Sequence, residues 1–129
     1  MDVLVNNAGM GLLGAAEESS TAQAQVLFDV NVVGVLRMTN AVLPTMRRQG
    51  KGRIVNLSSV QGFIPAPYFA LYASTKNAVE GYSESLDHER RPFGIALYRS
   101  SPPIPVGHSK TISPGRIGCL ISMSLRALA

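Results

Sequence analysis

Residues 55–76 carry the sequence VNLSSVQGFIPAPYFALYASTK, and this stretch decides how the whole chain is interpreted. The β-branched and apolar residues 53–57 predict a short buried strand. Ser58 and Ser59 end that strand, and the loop that follows contains a glycine and two prolines, which interrupt regular structure. A helical pattern then covers residues 68–86. The stretch therefore predicts a strand, a loop and a helix in succession.

Three side chains around this loop predict acid–base chemistry. Tyr72 and Lys76 are four residues apart, which places them on one face of the predicted helix. An ammonium stabilises a phenolate, and lowering a phenol pKa by about three units takes about 4 kcal/mol, which requires a close and partly desolvated pair. Such a phenol can exchange a proton with a substrate oxygen. Ser59, at the carboxyl end of the strand, can hydrogen-bond the same oxygen.

Four motifs in register strengthen that interpretation against its alternative, a chance pair in which the ring is packed and the lysine is solvated. In chain order they are Asn6-Asn7-Ala8-Gly9, Asn31, Ser59 and Tyr72-x-x-x-Lys76. Together they resemble the short-chain dehydrogenase/reductase family, and the resemblance covers residues 1–97. The loop and the helix around the tyrosine are most similar to hydroxysteroid- and retinol-dehydrogenase-like members of that family.

The resemblance implies a fold and an activity. The fold is α/β, a partial doubly wound, Rossmann-like parallel sheet with strands near residues 2–6, 53–57 and 95–98 joined by right-handed crossovers. The activity is hydride transfer between a nicotinamide cofactor, NAD or NADP, and an apolar alcohol or ketone. The implied catalytic residues are Asn31, Ser59, Tyr72 and Lys76, and the implied cofactor-binding residues are Asn7, Ala8, Gly9, Tyr72 and Lys76.

Each implied residue has a role in the family. Tyr72 is the general acid/base, and Lys76 lowers its pKa and binds the nicotinamide ribose. Ser59 orients and polarises the substrate oxygen, and Asn31 supports a proton relay with the lysine. The alternative for Asn31 is an ordinary helix asparagine that faces solvent.

The segment Gly9-Met10-Gly11-Leu12-Leu13-Gly14 matches Gly-x-Gly-x-x-Gly directly after a predicted strand. Taken alone, it predicts a dinucleotide fingerprint with Asp29 as the acid on the ribose. The polar residues that follow indicate a loop and a helix start rather than a helix already under way. The resemblance therefore implies a structural loop here, with the phosphate-binding glycine motif of the family upstream of this sequence. Cofactor binding by this chain is accordingly left open.

Residues 21–49 predict a helix that Ser20 or Thr21 can cap. Pro44 is expected to kink this helix or to reset its start. Asn31 falls in an apolar stretch, where a buried amide needs hydrogen-bond partners. The helical spacing of this segment is carried by Val26, Val30, Val33 and Met38.

The loop after Ser59 is rich in apolar and aromatic residues, namely Phe63, Ile64, Pro65, Pro67, Tyr68 and Phe69. It is expected either to fold onto the core or to form one wall of a pocket for an apolar alcohol or ketone. In the helix that follows, the pattern places Val79, Tyr82 and Leu86 inward and Glu80, Glu84 and Asp87 outward.

Composition excludes several classes of function. The single cysteine excludes an internal disulfide and a cysteine-rich metal site and favours a reducing, cytoplasmic compartment. We expect no metal, no signal peptide and no membrane-spanning segment. Basic residues near the end of the first long helix suit its dipole, and without interleaved aromatic residues they do not indicate a nucleic-acid partner.

The charge distribution divides the chain. The first 89 residues hold all the acidic residues and have a net charge of −2, whereas residues 90–129 have a net charge of +6. Residues 1–98 are therefore interpreted as a catalytic-core fragment and residues 99–129 as an atypical basic, proline-containing tail, for which a changed reading frame or a basic arm are the hypotheses. A sheet with unpaired edges is expected to associate, so a homo-oligomer is possible. The competing function is a silent fragment that binds no dinucleotide and acts by association.

Overall fold

A parallel sheet of three strands forms the centre of the computed structural model, which describes residues 1–100. The strands are β1 (Val3–Asn6), β2 (Gly52–Leu57) and β3 (Ile95–Ser100), in the order β1-β2-β3. The three predicted strands and their parallel arrangement are confirmed. The third strand, expected near residues 95–98, continues to Ser100.

The helices that connect these strands are α1 (Thr21–Phe28), α2 (Gly34–Gln49) and α3 (Ala70–Arg90), with a π-helical segment at Asp29–Val33 between α1 and α2. Ser20 caps α1 as predicted, since its side chain accepts from the Gln23 amide while the Gln23 side chain accepts from the Ser20 amide. The reset expected at Pro44 does not occur, because α2 continues through this residue.

The π-helical segment changes which residues of the first long helix face the core. Its wider turn adds a residue to the helical repeat and rotates the positions that follow it. Met38, which follows this segment and was expected to continue the apolar spacing, is 44% exposed. Val26, expected on the same face, precedes the segment and is 54% exposed. The buried positions are instead Leu27, Val35, Thr39, Val42, Leu43 and Met46.

The hydrophobic core lies between the sheet and the two long helices. Leu4, Ile54 and Ile95 on one face of the sheet pack against buried residues of α2 and α3. The opposite face of the sheet exposes Val3, Val5 and Tyr98. The helices therefore cover one side of the sheet, as two right-handed crossovers that progress in the same direction require.

The continuous helix Thr21–Gln49 is long and apolar enough to cross a membrane by length and composition alone. The sequence predicts no membrane-spanning segment. The core helix of a water-soluble domain meets the same criterion, and here the α2 half packs against β1 and β2. The interpretation as a core helix therefore accounts for its composition.

The predicted tail extends beyond the described residues. Of its positions, Arg99 and Ser100 belong to β3, and residues 101–129 lie outside the described part of the chain.

A substitution at Gly94 tests the close packing between the turn that precedes β2 and the turn that precedes β3. Its φ of +68° is a left-handed conformation, and a Cβ atom there would collide with the carbonyl oxygen of Gly50. Gly94→Ala is expected to lower the free energy of unfolding by about 2 kcal/mol, because the backbone strain and the collision act together. Urea denaturation followed by circular dichroism measures this change.

The matched control is Gly81→Ala, at an exposed helical glycine whose added Cβ would meet nothing within 4 Å. This change is expected to raise the stability by about 0.5–1 kcal/mol through helix propensity. Equal effects of the two substitutions would contradict the assigned conformation at Gly94.

Candidate active site

Asn31 is the most deeply buried of the predicted site residues, with 1% of its surface exposed. It lies in the π-helical segment, where its Oδ1 accepts from the Met10 amide at 2.7 Å and its Nδ2 donates to the Met10 carbonyl at 2.8 Å. The same Nδ2 donates to Thr75 Oγ1 of α3 at 3.1 Å. Asn31 therefore holds the loop after β1 against α3, and the solvent-facing alternative is wrong.

Lys76 is a buried cation, with 7% of its surface exposed. Its ammonium donates to the carbonyl oxygen of Leu57, at the carboxyl end of β2, at 3.1 Å. Burial lowers the pKa of Lys76 from its usual value, and the nearby Glu80 carboxylate raises it in part. Gly9 lies beside it, since a Cβ atom built on Gly9 would be 3.8 Å from the Lys76 Nζ and 3.7 Å from the Asn31 Oδ1.

Tyr72 and Lys76 share one face of α3, as their spacing predicts. The Nζ atom of Lys76 lies 5.7 Å from the centroid of the Tyr72 ring. This distance is within the range of a cation–π interaction, which is stronger where the cation is desolvated. The centroid of the Phe69 ring lies 6.2 Å from that of the Tyr72 ring, with an angle of 60° between the ring planes.

Ser59 is the second residue after the end of β2 and is half-buried. Its hydroxyl oxygen accepts from the Gln61 amide at 3.3 Å, which caps the short 3₁₀ turn Val60–Gly62. The hydroxyl hydrogen is left to donate elsewhere. Ser59 therefore lies at the edge of the sheet predicted for it, with a donor that a ligand oxygen can use.

The loop after β1 does not form a dinucleotide fingerprint. No helix begins at Gly14, and the first helical turn after it is the 3₁₀ turn Ala16–Glu18. Asp29 pairs with Arg37 at 2.9 Å on the helix surface. That alternative is therefore wrong, and the glycines of this segment belong to a loop as the resemblance implies.

The loop after β1 also contacts the loop that follows Ser59. The Gly14 amide donates to the Tyr68 carbonyl at 2.9 Å, and Tyr68 itself has a φ of +66°, which is uncommon outside glycine. The helix expected from residue 68 begins only at Ala70 for this reason.

The apolar loop after Ser59 does not fold onto the core. Phe63, Ile64 and Tyr68 are exposed by 62%, 68% and 65%. The expectation that these side chains fold onto the core is wrong, and their role as one wall of a pocket for an apolar substrate stays a prediction. A groove of about 460 Å³ lies elsewhere, at the amino ends of the strands, and its lining includes Lys51, Arg53 and Tyr98.

Sequence reasoning missed two residues of the site. Glu80, expected to face outward, is buried with 6% of its surface exposed, and Thr75 connects Asn31 to the Tyr72 carbonyl. The signal for Glu80 was present, because a residue four positions after Lys76 lies on the same face of a helix. Within residues 1–100, no three His, Cys, Asp or Glu side chains are placed to hold a metal ion.

Comparison with known proteins agrees with this geometry. The family model described as short chain dehydrogenase matches residues 1–106. The chain is 46% identical over 97 residues to the 3-ketodihydrosphingosine reductase of Bacteroides thetaiotaomicron, and the match covers 75% of this chain and 36% of that protein. It is 41% identical to human retinol dehydrogenase 8 over 124 residues, which covers 96% of this chain and 39% of that protein. The chain thus spans less than half the length of these relatives.

Solved structures show the same likeness. A short-chain dehydrogenase from Streptomyces avermitilis superposes with a TM-score of 0.76 at 44% identity, over 78% of this chain and 38% of that one. A variant of ElxO with NADPH bound superposes with a TM-score of 0.77 at 35% identity, over 79% of this chain and 42% of that one. The family model, the relatives and the site geometry agree, and the chain belongs to the short-chain dehydrogenase family.

Proposed function

We propose that this chain supplies the catalytic part of an NAD(P)-dependent oxidoreductase that transfers hydride between a nicotinamide cofactor and an apolar alcohol or ketone. The observation that carries the proposal is the buried ammonium of Lys76, which lies 5.7 Å from the ring of Tyr72. A buried cation beside a phenol is the environment that favours proton exchange with a substrate oxygen.

The residues around Lys76 fit a cofactor that carries sugar hydroxyls. Lys76 has three donors and uses one of them on Leu57 among the described residues, so two are available for hydroxyl oxygens. Gly9 has no side chain, which leaves the space beside the ammonium open at the carboxyl edge of the sheet. Ligands of open α/β sheets bind at that edge.

The bound nicotinamide would supply or accept the hydride, and the side chains do the rest. The Tyr72 hydroxyl passes a proton to or from the substrate oxygen, and Ser59 donates a hydrogen bond to the same oxygen. Lys76 favours the ionised phenol and binds the ribose hydroxyls. Asn31 positions the loop that carries Gly9 through its two hydrogen bonds to Met10.

The substrate class follows from the loops. The exposed side chains of Phe63, Ile64 and Tyr68 provide an apolar surface beside Ser59. Relatives with 41–46% identity are named for sphingosine- and retinol-type compounds, which are largely apolar. The cytoplasmic location and the formation of a homo-oligomer stay predictions from the sequence, which offers NAD and NADP as alternatives.

Titration of NADH and NADPH against the purified chain tests the cofactor assignment. We expect a saturable increase in nicotinamide fluorescence for one of the two, because the chain offers both the ribose donors and the open edge. A signal that stays linear to millimolar concentration would favour the competing function, a silent fragment.

Tyr72→Phe tests the assigned acid/base. Where the chain oxidises retinol or a hydroxysteroid, the substitution is expected to lower kcat by about 10²–10⁴-fold, since a general acid/base contributes this much, and to leave the NADPH affinity nearly unchanged. The control is Tyr98→Phe, on the exposed face of the sheet, which is expected to keep the wild-type rate. Activity of Tyr72→Phe near that of wild type would exclude the assignment.

Asn31→Ala tests the connection between the loop and α3. The truncation removes the Asn31 partners of the Met10 amide and carbonyl in a partly buried place, and it is expected to lower the free energy of unfolding by about 2 kcal/mol. Asn40→Ala, at an exposed position of α2, is the matched control and is expected to change stability by less than about 0.5 kcal/mol. Thermal denaturation of both variants gives the comparison, and equal midpoints would contradict the role of Asn31.

A further inference from the structure

Glu80 is a buried carboxylate that the proposed mechanism does not use. It lies on α3 one turn after Lys76, and 6% of its surface is exposed. Its Oε2 accepts from Arg99 of β3 at 3.3 Å, whereas its Oε1 is buried without a hydrogen-bond partner among the described residues. Burying a carboxylate in this way is unfavourable unless nearby positive charge compensates for the lost hydration.

The backbone at Gly62 packs against the side chain of Glu80. A Cβ atom built on Gly62 would lie 3.3 Å from the Glu80 Cγ and 3.3 Å from the Lys76 carbonyl oxygen. The loop backbone therefore packs directly over the turn of α3 that joins Lys76 to Glu80. Lys76 and Glu80 are both buried, so water screens their mutual interaction only weakly.

We propose that Glu80 is a positioning residue of this site, whose buried carboxylate, held by Arg99, supplies the negative charge that keeps the Lys76 ammonium protonated beside Tyr72. No salt bridge joins Lys76 to a carboxylate within residues 1–100. The two residues therefore interact through the interior over one helical turn, while the lysine donors stay available to other oxygens.

The other groups near Lys76 leave Glu80 as the source of this charge. The helix that contains Asn31 and the loop that contains Gly9 offer only amide and backbone groups to the ammonium, and β2 offers the Leu57 carbonyl. Along α3, Tyr72 lies one turn before Lys76, and Glu80 lies one turn after it. Burial acts to deprotonate Lys76, and Glu80 opposes it by raising the lysine pKa.

The coupling can be measured without cofactor or substrate. The chain has three lysines, Lys51, Lys76 and Lys110, so a sample labelled with ¹³C at lysine Cε gives three resonances. The Lys76→Arg variant identifies the resonance of Lys76 by its loss. The pH midpoint of that resonance is then compared between wild type and Glu80→Gln, which keeps the shape of the side chain and removes its charge.

Glu80→Gln is expected to lower the Lys76 midpoint by about one pH unit, the scale of a single charge about 6 Å away in a partly buried site. The matched control is Glu84→Gln, one turn further along α3, which also contacts Arg99 but is 67% exposed. Solvent screens that charge, and the midpoint is expected to move by less than about 0.3 unit. A Lys76 midpoint that is unchanged in Glu80→Gln, or that moves equally in both variants, would overturn the inference.

Two further readouts keep the outcome decisive. Should Glu80→Gln lose the spectral dispersion of the folded chain, acid titration of wild type replaces it: protonation of Glu80 then has to appear as a step in the Lys76 resonance that is absent from Lys51.

The inference rests on the proposed function only for its consequence at Tyr72. A coupled Lys76 in a chain that binds no NADPH would support the inference and refute the proposed function, and an uncoupled Lys76 would refute the inference whatever the cofactor titration shows.

Discussion

The buried ammonium of Lys76 is the constraint that organises the carboxyl edge of this sheet. Removing an ammonium from water is unfavourable by several kcal/mol, so the surroundings must return part of its hydration. The Leu57 carbonyl at the end of β2 accepts one hydrogen bond from it, and the Glu80 carboxylate one turn away lowers the electrostatic penalty. The loop that contains Gly9 approaches the same group without a side chain. The strand end, the helix and the loop thus meet at a single charge.

The π-helical segment explains how the rest of the chain reaches that charge. A regular helix through residues 21–49 would keep one apolar face in register with the sheet, and an inward asparagine would replace a core residue. The wider turn at Asp29–Val33 directs Asn31 toward Met10 and Thr75, and α2 packs its own apolar face against the strands. π-Helical turns occur frequently at functional sites. Here the irregularity joins the loop after β1 to α3 without loosening the core.

The parts of this structure that follow from local patterns were predictable from the sequence, and the parts that depend on tertiary contacts were not. Short apolar and β-branched runs marked the strands, and the Ser20 cap was correctly placed because its partners lie within three residues. The exposed Met38 was misplaced, because one extra residue in the preceding helical turn leaves no trace in apolar spacing. Glu80 was misplaced because charge was taken as a sign of exposure, although its face of α3 was fixed by Lys76.

The one-sided sheet relates the site to the rest of the fold. Sheets of parallel strands are normally covered on both faces, yet Val3, Val5 and Tyr98 are exposed on the face opposite to α2 and α3. The chain matches only 36% and 39% of its relatives' lengths, so the residues described here account for one layer of helices in a family whose members are much longer. Among residues 1–100, the contacts that fix Lys76 lie within this one layer, between β2, α3 and the loop after β1. The surroundings of Lys76 are therefore a local property of these 100 residues, whereas ligand binding at the edge of the sheet also depends on what the exposed edge and face can contact.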